Sequence, residues 1–166
     1  MTFNFTFRSA ESKKDIDILT GFILKQPLNY KNYFDWIERA REELLIGYKK
    51  SVMAFYYDVL VGDLIFQPHK SIKKFREIKH GRTLGEYQRR LILSFMIRQA
   101  EDEARKEGDL ATICDARSDR LDVQRLLLVN GYKEIARADL YKEGYEDIVL
   151  MKPLVNDERK SWLLAA

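Results

Sequence analysis

The chain has 166 residues, of which 46% are hydrophobic and 33% charged, with a formal net charge of +3. That length and balance describe one globular domain able to bury a core, and so small a charge excess argues against wholesale wrapping of nucleic acid. One cysteine and two histidines exclude an internal disulfide and a cysteine cluster and argue against a zinc site, and no apolar run approaches the roughly 20 residues of a membrane span.

Phe3, Phe5 and Phe7 alternate with polar residues, the period of a half-buried strand. Ser12 stands three residues before Asp15, a capping-box spacing, and Ile16, Leu19 and Ile23 follow at helical intervals. Pro27 ends that helix at Gln26. A second helix carries Tyr33, Ile37, Ala40 and Leu44 on one face and stops at Gly47. Two strands, Ser51 to Tyr57 and Leu60 to Gln67, meet across Asp58. Phe75 to Leu84 reads as a longer strand with Gly81 inside it, where a glycine marks a bulge or a close backbone approach.

The next helix is the clearest element. Leu91, Ile92, Phe95, Met96, Ala100 and Ala104 form its apolar stripe, Arg98–Asp102 and Glu101–Arg105 are ion-pair spacings on its wet face, and Gly108 closes it. Leu110 to Ala116 is a short strand. Asp119 to Asn130 is a helix with Val123, Leu126 and Leu127 inward and Gly131 as its stop. Tyr132 to Tyr141 and Glu146 to Leu154 form a closing hairpin. The order is β-α-α-β-β-β-α-β-α-β-β, a mixed α/β or α+β arrangement around one sheet. Residues 1–154 are expected to form the domain and 155–166 a tail that Trp162 could dock.

Several short stretches, taken in order, resemble the GCN5-related N-acetyltransferase (GNAT) superfamily. They are Val59-Leu60-Val61-Gly62 before the long strand, Glu86-Tyr87-Gln88-Arg89-Arg90 after it, Asn130-Gly131-Tyr132 after the last helix, and Asp147 to Lys152 in the closing strand. The resemblance covers Phe3 to Leu154 and implies a mostly antiparallel sheet flanked by helices. It also implies acetyl transfer from acetyl-CoA to a primary amine. The family's pyrophosphate turn, Gln/Arg-x-x-Gly-x-Gly/Ala, falls on Gln88 to Leu93, so the implied cofactor residues are Thr83, Leu84, Gln88, Arg89, Arg90, Leu91, Ile92, Leu93 and Ser94. Backbone N–H groups at a helix N-terminus would face the phosphates. Leu91 and Leu93 stand where the family has its glycines. Leu127 and Arg120 stand where it often has a tyrosine and an asparagine. A GNAT-fold binding or assembly module without catalysis is therefore the alternative reading.

Acetyl transfer needs an amine that loses its proton and a thiolate that gains one. The resemblance makes Glu77 the general base, directly or through a water; the plainer reading pairs it with Lys79 or Arg76. Tyr141, with Tyr145 near it, is a candidate acid or a packing residue. His80 is a base by its chemistry or an incidental strand residue. Cys114 reads as a small buried hydrophobe, and Asp115, Arg117 and Asp119 as a capping and salt-bridge group. Lys70, Lys73, Lys74, Arg76, Lys79 and Arg82 form a basic run that leads to Arg89 and Arg90. It is an anion funnel or a solvated edge. Tyr30, Tyr33, Phe34 and Trp36 crowd the second helix as core or as an acceptor pocket. The partners expected are acyl-CoA and an amine, with a homodimer in view, and neither nucleic acid nor membrane. With no basic-then-apolar leader, a cytoplasmic setting is expected.

Overall fold

The computed structural model describes residues 4–27 and 31–155. Phe3, Tyr30 and Trp162, and with Trp162 nearly all of the expected tail, lie outside the described residues. The elements are β1 (Phe5–Ser9), α1 (Lys13–Leu24), α2 (Tyr33–Leu45), β2 (Lys50–Tyr56), β3 (Val59–Pro68), β4 (Phe75–Thr83), α3 (Ile92–Lys106), β5 (Ala111–Arg117), α4 (Leu121–Val129), β6 (Lys133–Ala138) and β7 (Asp147–Pro153). This is the expected order. The strands form one seven-stranded sheet, β1-β2-β3-β4-β5-β7-β6. β1/β2, β2/β3, β5/β7 and β6/β7 are antiparallel, and β4/β5 is parallel. A parallel pair needs a crossover, and α3 supplies it. No helix among the described residues is long and apolar enough to cross a membrane.

The chain divides into two compact units: Met1–Gln67 with His80–Ala100, and Pro68–Lys79 with Glu101–Ala166. In the first unit α1 begins with the expected capping box. The Asp15 N–H donates to Ser12 Oγ at 3.1 Å, and the Ser12 N–H donates to Asp15 Oδ2 at 3.2 Å. Two otherwise orphaned donors are thereby satisfied, and Arg8 adds an ion pair to Asp15 at 2.7 Å. Ile16, Leu19 and Ile23 of α1 pack with Tyr33, Ile37 and Leu44 of α2 against Met53, Phe55 and Ile65 of the sheet. Each such fully buried side chain contributes about 1.5–3 kcal/mol. Across the sheet α3 approaches closely at Gly62, where an added β-carbon would lie 2.9 Å from the Arg82 carbonyl oxygen and 3.2 Å from Met96 Cε.

The second unit is built on β5 and β7, with Ala111, Ile113, Ala116, Ile148, Leu150 and Met151 buried. It carries two buried charge arrangements. Arg76 reaches Glu107 and Asp109, with Nε donating to Asp109 Oδ2 at 2.8 Å. Lys152 Nζ sits 2.6 Å from Glu101 Oε2. Here an expectation is corrected: Glu101 is 1% exposed, because Lys152 of β7 draws it inward, and it does not lie on a wet face. Nearby, Thr112 Oγ1 donates to the buried Tyr132 Oη at 2.9 Å. α4 is also shorter than expected and buries Leu127 alone; Val123 and Leu126 are half-buried. All six residues of β6, the edge strand, are exposed.

Candidate functional site

The segment between β4 and α3 lies wholly in the first unit. A single 3₁₀ turn, Gly85–Tyr87, follows β4. The Leu84 N–H donates to the Val61 carbonyl at 2.9 Å, and Gln88 Nε2 donates to the Thr83 carbonyl at 3.3 Å. Aromatic packing fixes the turn from beneath. Tyr87 meets Phe5 edge-on at 6.1 Å between ring centres and Tyr56 at 5.5 Å, and Arg90 lies over the Tyr87 ring at 5.5 Å. Arg89 and Arg90 are both exposed.

The backbone then does something unusual for its residues. Arg89 and Leu91 have φ of 60° and 62°, the left-handed region in which a β-carbon is crowded and glycine is favoured. Leu91 was expected to open the apolar stripe of α3. It lies instead outside the helix and is 67% exposed. Its carbonyl accepts the first helical bond, from the Phe95 N–H at 3.0 Å. The stripe is completed instead by Ile97, buried beside Ile92, Met96 and Ala100. At Leu91 the turn thus follows a path that glycine would take more easily.

Leu93 takes a different course. A β-carbon added to Gly81 would meet Leu93 Cδ1 at 3.0 Å and Leu64 Cδ1 at 3.0 Å. The Leu93 side chain therefore fills space that Gly81 leaves open on β4. The first-turn N–H groups of α3, which include those of Ile92 and Leu93, have no acceptor within the helix. They sit at the positive end of a 15-residue helix. The Thr83 hydroxyl is buried and has no partner among the described residues. Two arginines, helix N–H groups and an orphaned hydroxyl make a donor set suited to a phosphate group. By these tests the residues present fit a nucleotide pyrophosphate.

The second unit gathers Glu77, Lys79, Asp115 and Tyr141. Lys79 Nζ lies 3.0 Å from Glu77 Oε1 and 6.0 Å from the centre of the Tyr141 ring. Tyr141 Oη donates to Asp115 Oδ2 at 2.9 Å. Burial pushes the Tyr141 phenol up, and the Asp115 carboxylate pushes the same way. For Lys79 burial opposes the charge, but Tyr141, Asp115 and Glu77 outweigh it and hold the ammonium above its ordinary value. Burial, with Asp115 second, raises the Cys114 thiol, which makes it a poor nucleophile.

The remaining candidates disperse. Arg117 pairs with Asp119 at 2.5 Å and lies 4.2 Å over the Tyr145 ring. Arg120 pairs with Asp122 at 3.0 Å. In the basic run Arg76 is committed to Glu107 and Asp109, while Arg82 Nη1 donates to the Gln26 carbonyl at 2.5 Å. His80 is buried against Trp36 and beside Asp63. Asp63 was not foreseen; its signal was one carboxylate inside the apolar run Val59 to Phe66, where a buried charge needs a reason.

No protein-family model matches the sequence, and no curated protein matches it significantly. Solved structures do match. A GNAT-family protein from Desulfovibrio desulfuricans superposes with a TM-score of 0.79 at 13% identity, over 91% of this chain and 99% of that one. An aminoglycoside 6′-N-acetyltransferase, complexed with coenzyme A, gives 0.73 at 16% identity, over 91% and 98%. The Salmonella typhimurium protein yncA, with its cofactor acetyl-CoA, gives 0.70 at 15% identity, over 92% and 95%. Element order, sheet topology and these superpositions agree: this chain has the fold of the GNAT acetyltransferases.

Proposed function

We propose that this protein is an N-acyltransferase that moves an acetyl group from acetyl-CoA to a primary amine of a small molecule or protein. The observation that carries this reading is the turn before α3. Its leucine-bearing backbone keeps the positive φ of a glycine turn at Leu91, ahead of a helix N-terminus and beside Arg89 and Arg90. A chain with no use for that path would be expected to relax it. The coenzyme A and acetyl-CoA bound to two of the similar structures support the same ligand.

In this reading the N–H groups of Ile92, Leu93 and Ser94 and the Arg89 and Arg90 guanidiniums hold the pyrophosphate. Gln88, Leu84 and Thr83 shape the strand end beside it. Bound acetyl-CoA supplies the activated acyl group as a thioester. Tyr141, kept protonated by burial and Asp115, returns a proton to the departing sulfur. Lys79 is the positive charge of that cluster, and Glu77 orients it. The reducing setting that suits a lone free Cys114 is the cytoplasm. The exposed edge β6 is the surface through which a homodimer would form.

Calorimetric titration of the purified protein with acetyl-CoA and with free CoA tests the reading. Micromolar binding of either is expected. Arg90→Ala should weaken it about tenfold, the effect of one charged hydrogen bond of about 1.5–3 kcal/mol at the lower end. A folded protein that gives no heat with millimolar ligand refutes the reading and leaves the fold as a non-catalytic binding module.

A further inference from the structure

The first unit holds an ionisable pair that the turn does not use. His80 on β4 is 8% exposed and Asp63 on β3 is 0% exposed. His80 Nε2 stands 3.3 Å from Asp63 Oδ2, and neither that nitrogen nor either Asp63 oxygen makes a hydrogen bond among the described residues. Trp36 of α2 lies against the imidazole with ring centres 5.4 Å apart. On the elements around the pair, β2 sets the apolar Met53 opposite Asp63. Arg82, two residues along β4 from His80, is engaged by the Gln26 carbonyl beyond α1.

A carboxylate taken wholly out of water is costly unless a cation compensates it. The group placed to do so, once it takes up a proton, is the imidazole. With Nε2 turned to Asp63, Nδ1 is the ring nitrogen left to exchange a proton. A proton arriving there makes an imidazolium whose counter-charge is already in position. A carboxylate that orients an imidazole and stabilises its protonated form is the logic of a base backed by an acid. Glu77, the base implied by resemblance, already holds the Lys79 ammonium at 3.0 Å and has a structural charge to serve.

We propose that His80, oriented by Asp63, takes the proton from the acceptor amine; this rests on the acyl-transfer reading above. In that transfer the amine nitrogen bonds to the acyl carbon. The carbon–sulfur bond breaks with its electron pair on sulfur, which leaves as the thiolate, and the amine proton passes to His80 Nδ1. Trp36 then borders the acceptor and favours amines that carry an apolar or aromatic group.

The test uses n-butylamine, benzylamine and a short peptide with a free N-terminus as acceptors. His80→Gln is expected to lower kcat/KM about 10²–10⁴-fold while calorimetric acetyl-CoA binding is kept. The near-isosteric Asp63→Asn is expected to lower the rate, and it carries the test if His80→Gln fails to fold. A second readout needs no turnover. The chain has two histidines, so a His69→Gln protein assigns the His80 ring by NMR. Asp63→Asn should move that ring's resonances, because it removes the carboxylate 3.3 Å from Nε2. Turnover that survives His80→Gln with an unchanged pH profile, or a His80 ring indifferent to Asp63→Asn, overturns this proposal alone. Absence of any turnover in the wild type overturns the acyl-transfer reading with it.

Discussion

Replacing Leu91 by glycine should stabilise the protein relative to replacing it by alanine, the reverse of the usual order near a helix. Both substitutions remove a side chain that is 67% exposed, so little burial is lost in either. They differ in the β-carbon. At φ of 62° that carbon is crowded, at about 1–2 kcal/mol for an L-residue. Glycine escapes the crowding but loses about 0.5–1 kcal/mol through the freedom of the unfolded chain. Leu91→Gly should therefore exceed Leu91→Ala by up to about 1.5 kcal/mol, centred near 0.75 kcal/mol. Gln99, exposed in the middle of α3, provides the control, because there alanine should win by about 1 kcal/mol. Urea unfolding followed by tryptophan fluorescence reads both differences as shifts in midpoint at constant m. In heat the Leu91 pair should separate by about 2–4 °C per kcal/mol for a chain of this size. If Leu91→Gly is the less stable of the pair, the turn does not hold Leu91 in the left-handed region, and the argument for a preserved phosphate turn loses its main support.

Ser12→Ala should destabilise by about 1 kcal/mol through loss of the cap. Hydrogen bonds from Ser12, then Arg8, hold Asp15 below its ordinary value. That contribution is present above the unfolded carboxylate range and is lost as pH falls through and below about 4. Ser12→Ala should thus shrink the acid-side loss, as seen in urea midpoints measured down the acid limb. Arg76→Ala leaves Asp109 and Glu107 without their buried partner, and equilibrium unfolding should register a loss of about 3 kcal/mol, the low end for a broken buried pair because Glu107 is partly exposed. Cys114 should resist a thiol reagent in the native protein at about pH 8 and react once per chain in denaturant; fast native labelling would contradict its burial.

Features set by neighbours in sequence were legible before the fold was known. The Ser12–Asp15 cap needs only a spacing of three, and the buried face of α2 needs only a period of 3.6. Leu91 was misplaced because a helical period cannot tell the first residue of a stripe from the residue just before it; Ile97 continues the same stripe from the other side. Glu101 pairs with Arg105 at 3.7 Å as its spacing suggested, but its burial was not legible, since its nearer partner, Lys152, lies on β7. The Glu77–Lys79 pairing was within reach because the two residues alternate on one strand. Asp63 beside His80 and Tyr141 beside Asp115 depend on which strands and loops meet, and no local pattern encodes that.

Leu91 also bears on how such sites are found. The turn before α3 takes a path open to glycine with a leucine in it, so a motif spelled in glycines passes over it. A motif spelled in torsion angles does not. If acyl-CoA binds here, other chains with ordinary side chains at positive φ ahead of a long helix belong among the places to look for the same grip.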